Sequence, residues 1–242
     1  MMPSVKAFAY LLILALFWNC KSKQQQLEGI QPSGDIIATS DFPKTVTPKK
    51  SERPKGMPAI PDTTFVDLKN YSTDFVYDIK YATTDNFLKS QVYECPECFL
   101  RLKTVQALMQ ANQDFLKLGF RIKIFDCYRP LDIQKKMWKI VSNPDYVANP
   151  AKGSIHNRGG AVDITLVDSA GKELDMGTAF DHFGPEAAVD YVNLSEEVKK
   201  NRKLLQTVMS ANGFTVLRSE WWHFNLNGAS NYKISNEKWD CR

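Results

Sequence analysis

The sequence predicts an α+β fold, a single domain with a mostly antiparallel sheet flanked by helices. Segments with helical apolar spacing occur early and late in the globular part of the chain. The β-branched segments follow one another as in hairpins rather than in strict β-α-β repeats. The composition of the 242 residues, 43% apolar and 24% charged, is that of an ordinary globular protein. It excludes collagen-like, coiled-coil and wholly disordered chains.

The first predicted helix ends near Gly119, a residue type that suits a helix C-terminus. Apolar residues recur at helical spacing before it, namely Leu102, Val105, Leu108, Met109, Phe115 and Leu116. A strand follows, because apolar residues alternate with charged ones over residues 120–124. After a turn at residues 126–130, a second helix is indicated by the spacing of Ile133, Met137, Ile140 and Val141.

The remaining elements are predicted from β-branched runs and capping residues. Residues 161–167 are rich in β-branched side chains and precede the turn signal Asp168 to Gly171, so they predict a strand. Ser195 is a good N-cap for a helix that ends at Gly213. Residues 214–217 and 221–225 predict two final strands.

The N-terminus predicts a signal peptide over residues 1–19. Twelve apolar residues, 7–18, follow Lys6, fewer than the roughly 20 that a transmembrane helix needs. Cys20 lies where a bacterial lipoprotein signal ends, although Trp18 and Asn19 stand where small residues are usual. We therefore expect export to the periplasmic side of a bacterial envelope and a membrane anchor through a lipid on Cys20, with plain secretion as the alternative.

Residues 20–61 are predicted to form a lipidated N-terminus and a disordered tether. Half of the twelve prolines lie between residues 21 and 61, among Lys, Ser, Thr and Gln. The predicted catalytic domain, residues 62–242, contains 23 basic and 23 acidic residues. Because nucleic-acid binders usually present a basic surface, this neutral domain is not expected to bind nucleic acid.

Four cysteines remain in the globular part: Cys95, Cys98, Cys127 and Cys241. An even number in an exported protein indicates structural disulfides, with three possible pairings left open. The Cys95-x-x-Cys98 spacing is also found in redox and zinc sites, but no second pair at metal spacing accompanies it.

Two of the three histidines lie in constrained surroundings that suggest a metal site. A catalytic zinc needs three His or acidic ligands and one open position. His156, Asp163 and His223 could supply that set. Glu220 precedes His223 by three residues, close enough to act as a general base. Taken singly, each histidine is more often structural.

Two segments carry a family resemblance. Residues 154–163 match S-x-H-x-x-G-x-A-x-D and residues 220–223 read E-W-W-H, with further matches in order across residues 65–225. The sequence thereby resembles the D-alanyl-D-alanine dipeptidases of the VanX type, zinc metallopeptidases of family M15 with the hedgehog/DD-peptidase fold. The resemblance implies one zinc ion per chain, held by His156, Asp163 and His223, with Glu220 as general base and acid.

The same resemblance implies roles for four more residues. Arg129 matches the arginine that faces the carbonyl oxygen in the transition state. Tyr81, Ser154 and Asp181 match positions that hold the ends of the substrate, with Tyr81 and Asp181 near its ammonium group. The implied activity is zinc-dependent hydrolysis of D-alanyl-D-alanine in cell-wall peptide turnover.

Two other functions stay open at this point. One is a zinc D,D- or L,D-carboxypeptidase or endopeptidase acting on peptidoglycan stems, since a fold alone does not exclude it. Tyr81 and Asp181 would discriminate against it if they close the pocket at the amino end of the substrate. The other is a non-catalytic wall-binding lipoprotein, which the presence of Glu220 and Arg129 argues against.

Overall fold

A computed structural model describes residues 59–241. The predicted signal peptide, the lipid site at Cys20 and the predicted tether as far as residue 58 lie outside the described residues. The strands are β1 Phe65–Asp67, β2 Val76–Tyr77, β3 Phe99–Arg101, β4 Arg121–Asp126, β5 Ala161–Val167, β6 Phe214–Leu217 and β7 Glu220–Leu226. The α-helices are α1 Leu102–Leu116, α2 Leu131–Ile140 and α3 Glu196–Ala211.

The predicted α+β class with a mostly antiparallel sheet is confirmed. Five strands form one sheet in the order β2-β4-β5-β7-β6, in which all neighbours are antiparallel except β2 and β4. β1 and β3 form a separate antiparallel pair. These two strands and β2 are two or three residues long, too short to show the alternation from which a strand is predicted.

The three predicted helices are present close to their predicted bounds. The Ser195 hydroxyl accepts a hydrogen bond from the Val198 amide at 3.2 Å and caps α3. Gly119 and Gly213 follow α1 and α3 with φ of 83° and 85°, the left-handed conformation that glycine adopts without strain. Within α2, Ile140 is exposed whereas Gln134 is buried, because Gln134 contacts the site described below.

The centre of the sheet positions the polar residues of interest. Every residue of β5 is buried, as expected for a central strand. Side chains alternate between the two faces of a strand, and both faces of β5 are covered. Asp163 therefore lies inside the protein, between the buried apolar residues Val162 and Ile164. A carboxylate is buried in a protein only when it is paired with an opposite charge or binds a cation.

The disulfide framework predicted from the cysteines is confirmed, and the pairing is now defined. Cys95 is bonded to Cys241, and Cys98 is bonded to Cys127. Between residues 59 and 241, no helix has the length and apolar character needed to span a membrane.

Candidate active site

Neighbouring strands and one loop bring together the three predicted metal ligands. Asp163 on β5 is the direct register partner of His223 on β7. His156 begins a short 3-10 helix, His156–Arg158, that precedes β5. Two glycines join this short helix to β5, and neither has room for a Cβ: one at Gly159 would lie 2.3 Å from the Phe65 ring, and one at Gly160 would lie 2.3 Å from the Cβ of Ala229. The glycines therefore let His156 approach the sheet closely.

The ligand atoms form a compact triangle. Nε2 of His156 lies 3.4 Å from Oδ1 of Asp163 and 3.2 Å from Nδ1 of His223. Oδ1 of Asp163 lies 3.0 Å from the same Nδ1. A tetrahedral site with bonds of about 2.0–2.2 Å separates its ligand atoms by roughly 3.3–3.6 Å. One of the three separations falls in this range and the other two are slightly shorter. The three residues, all buried, therefore fit a metal ion of the size of zinc.

Hydrogen bonds on the far side of each imidazole orient its free lone pair. Nδ1 of His156 lies 2.6 Å from the carbonyl oxygen of Cys127. Since a carbonyl only accepts, Nδ1 carries the proton and Nε2 presents a lone pair. In the same way, Nε2 of His223 donates to Oδ1 of Asn225 at 2.9 Å. Support of this kind fixes the tautomer of metal-bound histidines.

The charges of the triangle require a cation. Oδ1 of Asp163 is buried, and its polar neighbours are the ligand nitrogens of the two histidines, Nδ1 of His223 at 3.0 Å and Nε2 of His156 at 3.4 Å. Burial acts to raise the pKa of Asp163, but His156 and His223 hold it well below its ordinary value. Burial acts to lower the pKa of His223, but Asp163 outweighs it and raises the pKa to about 9. A proton therefore occupies the site when no metal does.

Glu220, the first residue of β7, stands beside the triangle without belonging to it. Its Oε2 is 3.7 Å from Nδ1 of His223, and 24% of its side chain is exposed. Burial raises the pKa of Glu220, and the charge of Asp163 raises it further. A carboxylate that is reachable by water and has a raised pKa is suited to accept and return a proton.

Arg129 is held rigidly next to the site. Its Nη2 donates to Oδ2 of Asp126 at 2.5 Å and its Nη1 to Oε1 of Gln134 at 3.0 Å. Its Nε is buried and has no partner among residues 59–241. The guanidinium carbon lies 5.1 Å from the centre of the Tyr81 ring. A fixed cation with a donor nitrogen that has no partner can stabilise a developing negative charge.

Tyr81 and Asp181 meet although 100 residues separate them. The Tyr81 hydroxyl donates to Oδ2 of Asp181 at 3.0 Å. Asp181 has a φ of 58°, a conformation that costs energy for a residue other than glycine and is common at functional sites. Burial, together with the charge of Asp163, raises the pKa of Asp181 well above its ordinary value. A cationic group would stabilise this carboxylate.

Ser154 has only local partners among the contacts of the described residues. Its hydroxyl lies 3.3 Å from Oδ1 of Asn157, to which its amide also donates at 2.7 Å. These bonds shape the turn before His156. The structure therefore brings together seven of the eight predicted site residues, whereas Ser154 hydrogen-bonds only within the turn that precedes His156.

The sequence is similar to proteins of a known family. The profile of the D-Ala-D-Ala dipeptidase family of M15 peptidases matches residues 61–240. The chain belongs to this family. It is 34% identical over 181 residues to a D-alanyl-D-alanine dipeptidase of Escherichia coli K12, covering 74% of this chain and 94% of that protein. A D-alanyl-D-alanine dipeptidase of Enterococcus faecium is 28% identical over 171 residues, 62% of this chain and 85% of that protein.

As a member of the M15 peptidases, the protein is a metallopeptidase. His156, Asp163 and His223 are the group between residues 59 and 241 that could hold the metal.

Several supporting residues of this M15 site were not predicted from the sequence. Asp126, which is fully buried, accepts from Arg129 and from the Tyr93 hydroxyl at 2.6 Å. Its one signal in the sequence is an acidic residue at the end of an apolar strand.

Proposed function

We propose that this protein is a zinc dipeptidase that hydrolyses D-alanyl-D-alanine in bacterial cell-wall peptide turnover, with one zinc ion per chain. The observation that carries the proposal is the convergence of His156, Asp163 and His223 on a triangle with tetrahedral spacing, with Glu220 beside it. The names of the E. coli and E. faecium relatives support the substrate.

The proposed metal residues are His156 Nε2, Asp163 Oδ1 and His223 Nδ1. When bound, zinc would lower the pKa of a water molecule toward ~7 and polarise the substrate carbonyl. Oxygen ligands alone would favour Mg²⁺ or Ca²⁺, whereas two imidazoles and one carboxylate suit zinc.

Glu220 takes the proton of the attacking water while the water oxygen bonds to the carbonyl carbon of the substrate. The negative charge then grows on the carbonyl oxygen, where Arg129 stabilises it. As the C–N bond breaks, Glu220 returns the proton to the leaving nitrogen. The products are two molecules of D-alanine. The exposed fraction of Glu220 and the unused Nε of Arg129 are consistent with these roles.

Asp181 and Tyr81 are proposed to bind the ammonium group of the dipeptide. The ammonium would supply a cation for the half-buried carboxylate of Asp181, whose partner in the structure is the neutral hydroxyl of Tyr81. A substrate with an acetylated or extended amino end would leave this carboxylate desolvated and unpaired, which is costly. Ser154 is proposed to contact the other parts of the substrate from the His156 loop.

The central test measures release of D-alanine by the full-length protein from D-alanyl-D-alanine and from its N-acetyl derivative, with and without a chelator. We expect hydrolysis of the free dipeptide only, abolished by chelation and restored by zinc. Cleavage of the acetylated compound would instead favour a carboxypeptidase acting on peptidoglycan stems. No cleavage of either by zinc-loaded protein would favour a wall-binding role.

Replacing Asp181 with asparagine is expected to lower kcat/KM for the free dipeptide about 10²-fold, mainly through KM. Removing one member of a buried charge pair costs roughly 2–5 kcal/mol, of which asparagine recovers part by hydrogen bonding to Tyr81. Steady-state kinetics checks this. Asp190→Asn is the control, because Asp190 is an exposed residue paired with Arg218. An unchanged KM in Asp181→Asn would exclude the ammonium role.

We also propose that the enzyme is exported and lipid-anchored on the periplasmic side. The two disulfides support an oxidising compartment, and the signal-like segment and Cys20 support export. Recovery of the protein in the cytosol on cell fractionation would contradict the proposal.

A further inference from the structure

We propose that the Cys98–Cys127 disulfide is a positioning element of the metal site, which holds His156 and Arg129 in place so that metal affinity depends on this bridge. The inference rests on the proposed function. It concerns residues outside the motifs that define the ligands, and it starts from the contacts of one residue, Cys127.

Both backbone groups of Cys127 contact the site. Its carbonyl oxygen accepts a hydrogen bond from Nδ1 of His156 at 2.6 Å, which directs Nε2 toward the other ligands. Its amide donates to Oδ1 of Asp126 at 2.9 Å. The other oxygen of Asp126 holds the guanidinium of Arg129. A displacement of Cys127 would therefore move a metal ligand and the cation beside it together.

The bridge is the covalent attachment of Cys127 to a neighbouring strand. Cys98 directly precedes β3, and both cysteines are at least 98% buried. Non-bonded heavy atoms pack about 3.5–4 Å apart, whereas a disulfide holds its sulfurs at about 2.05 Å. Two free thiols in this packed position would therefore separate by more than ~1 Å. The nearby hydrogen bond from the Tyr128 amide to the Phe99 carbonyl, at 3.0 Å, would have to absorb part of that movement.

The Cys95–Cys241 disulfide offers a matched control within the same chain. It joins residues 146 apart in sequence, compared with 29 for Cys98–Cys127. By loop entropy, the longer closure stabilises the fold at least as much. Neither Cys95 nor Cys241 has a hydrogen bond to a predicted metal ligand in the described range. If the bridges only stabilise the fold, removing Cys95–Cys241 should lower metal affinity at least as much as removing Cys98–Cys127. If Cys98–Cys127 positions the metal ligand, its removal should lower metal affinity more.

The positioning role also links metal binding to the cellular compartment. Thiols are kept reduced in the cytoplasm and become oxidised outside it. The chain would therefore acquire its full metal affinity only after export.

The test compares full-length wild type, C98A/C127A and C95A/C241A, produced in an oxidising host. Zinc affinity is measured by competition with a chromophoric chelator, and the unfolding midpoint is measured on metal-free protein. Removing residues that orient metal ligands typically lowers affinity 10–100-fold. We expect the zinc Kd of C98A/C127A to rise ~10-fold or more, with that of C95A/C241A close to wild type whatever its midpoint.

Equal Kd values for the three proteins would overturn the positioning role, as would Kd values that simply follow the loss of stability in both variants. If C98A/C127A does not fold, C98V/C127A restores apolar volume at the site and is measured instead. Failure of both to fold would assign the bridge to general stability and overturn the proposal. Wild type that binds no zinc would overturn the proposed function as well. If wild type binds zinc and is active, and C98A/C127A has the same zinc Kd as wild type, this inference alone is overturned.

Discussion

Replacing Glu220 with glutamine is expected to lower kcat for D-alanyl-D-alanine about 10²–10⁴-fold, the usual contribution of a general base. Glutamine has nearly the same size but cannot accept the proton of the attacking water or return it to the leaving nitrogen. Because Glu220 lies beside the three ligand atoms and is not one of them, zinc affinity should remain close to wild type. Steady-state kinetics and zinc titration of the same preparation measure both quantities.

Glu173→Gln is the matched control for this experiment. Glu173 has 47% of its side chain exposed and pairs with Lys123, so its replacement should leave kcat unchanged. Full activity in Glu220→Gln would remove the proposed proton-transfer mechanism and would assign proton transfer to another group. Loss of zinc together with activity would instead show that Glu220 contributes to the metal site itself.

Replacing Asp163 with asparagine is expected to lower zinc affinity by more than the ~10–100-fold typical of residues that only support the ligands. Asp163 is the one negatively charged ligand of the three, since the two imidazoles are neutral when they bind a metal. An amide at this position leaves the positive charge of zinc uncompensated. At zinc concentrations that saturate wild type, hydrolysis should fall to background. Competition titration and activity across a zinc series measure the loss, and excess zinc should restore part of the activity.

The charge of Asp163 also affects the metal-free protein. Burial acts to lower the pKa of His223, and Asp163 contributes most to raising it, with smaller contributions from Glu220 and Asn225. The substitution should therefore lower the pKa of His223 and weaken proton binding at the metal-free site. The exposed substitution Asp190→Asn serves again as control. Wild-type zinc affinity in Asp163→Asn would show that Asp163 is not a ligand, and the triangle would then need another explanation.

The long elements of the fold could be predicted from the sequence. Helix α1, strand β5 and the cap of α3 at Ser195 depend on local periodicity and local hydrogen bonds. The pairing of β1 with β3 and the parallel pair of β2 with β4 could not be predicted. Strands of two or three residues carry no periodicity, and what stabilises them is their partner elsewhere in the chain.

The candidate site divides in the same way. Residue types and their spacing suggested His156, Asp163, His223 and Glu220 as a metal and general-base set. The resemblance of two motifs to the M15 peptidases then implied the role of each residue. The sequence also indicated an even disulfide framework. The register that places Asp163 opposite His223, the pairing of Cys98 with Cys127 and the support of His156 by a carbonyl were decided by the tertiary structure.

The physical reason is the range of the interactions. A side chain brings its chemistry with it, so the sequence by itself determined which groups were available for metal binding and proton transfer. Distances of about 3 Å between atoms of residues 60 or more positions apart, such as Asp163 and His223, arise only when the core packs and the strands align. Backbone carbonyls, such as that of Cys127, are the same at every position of the chain, so only the fold could show which one orients a ligand.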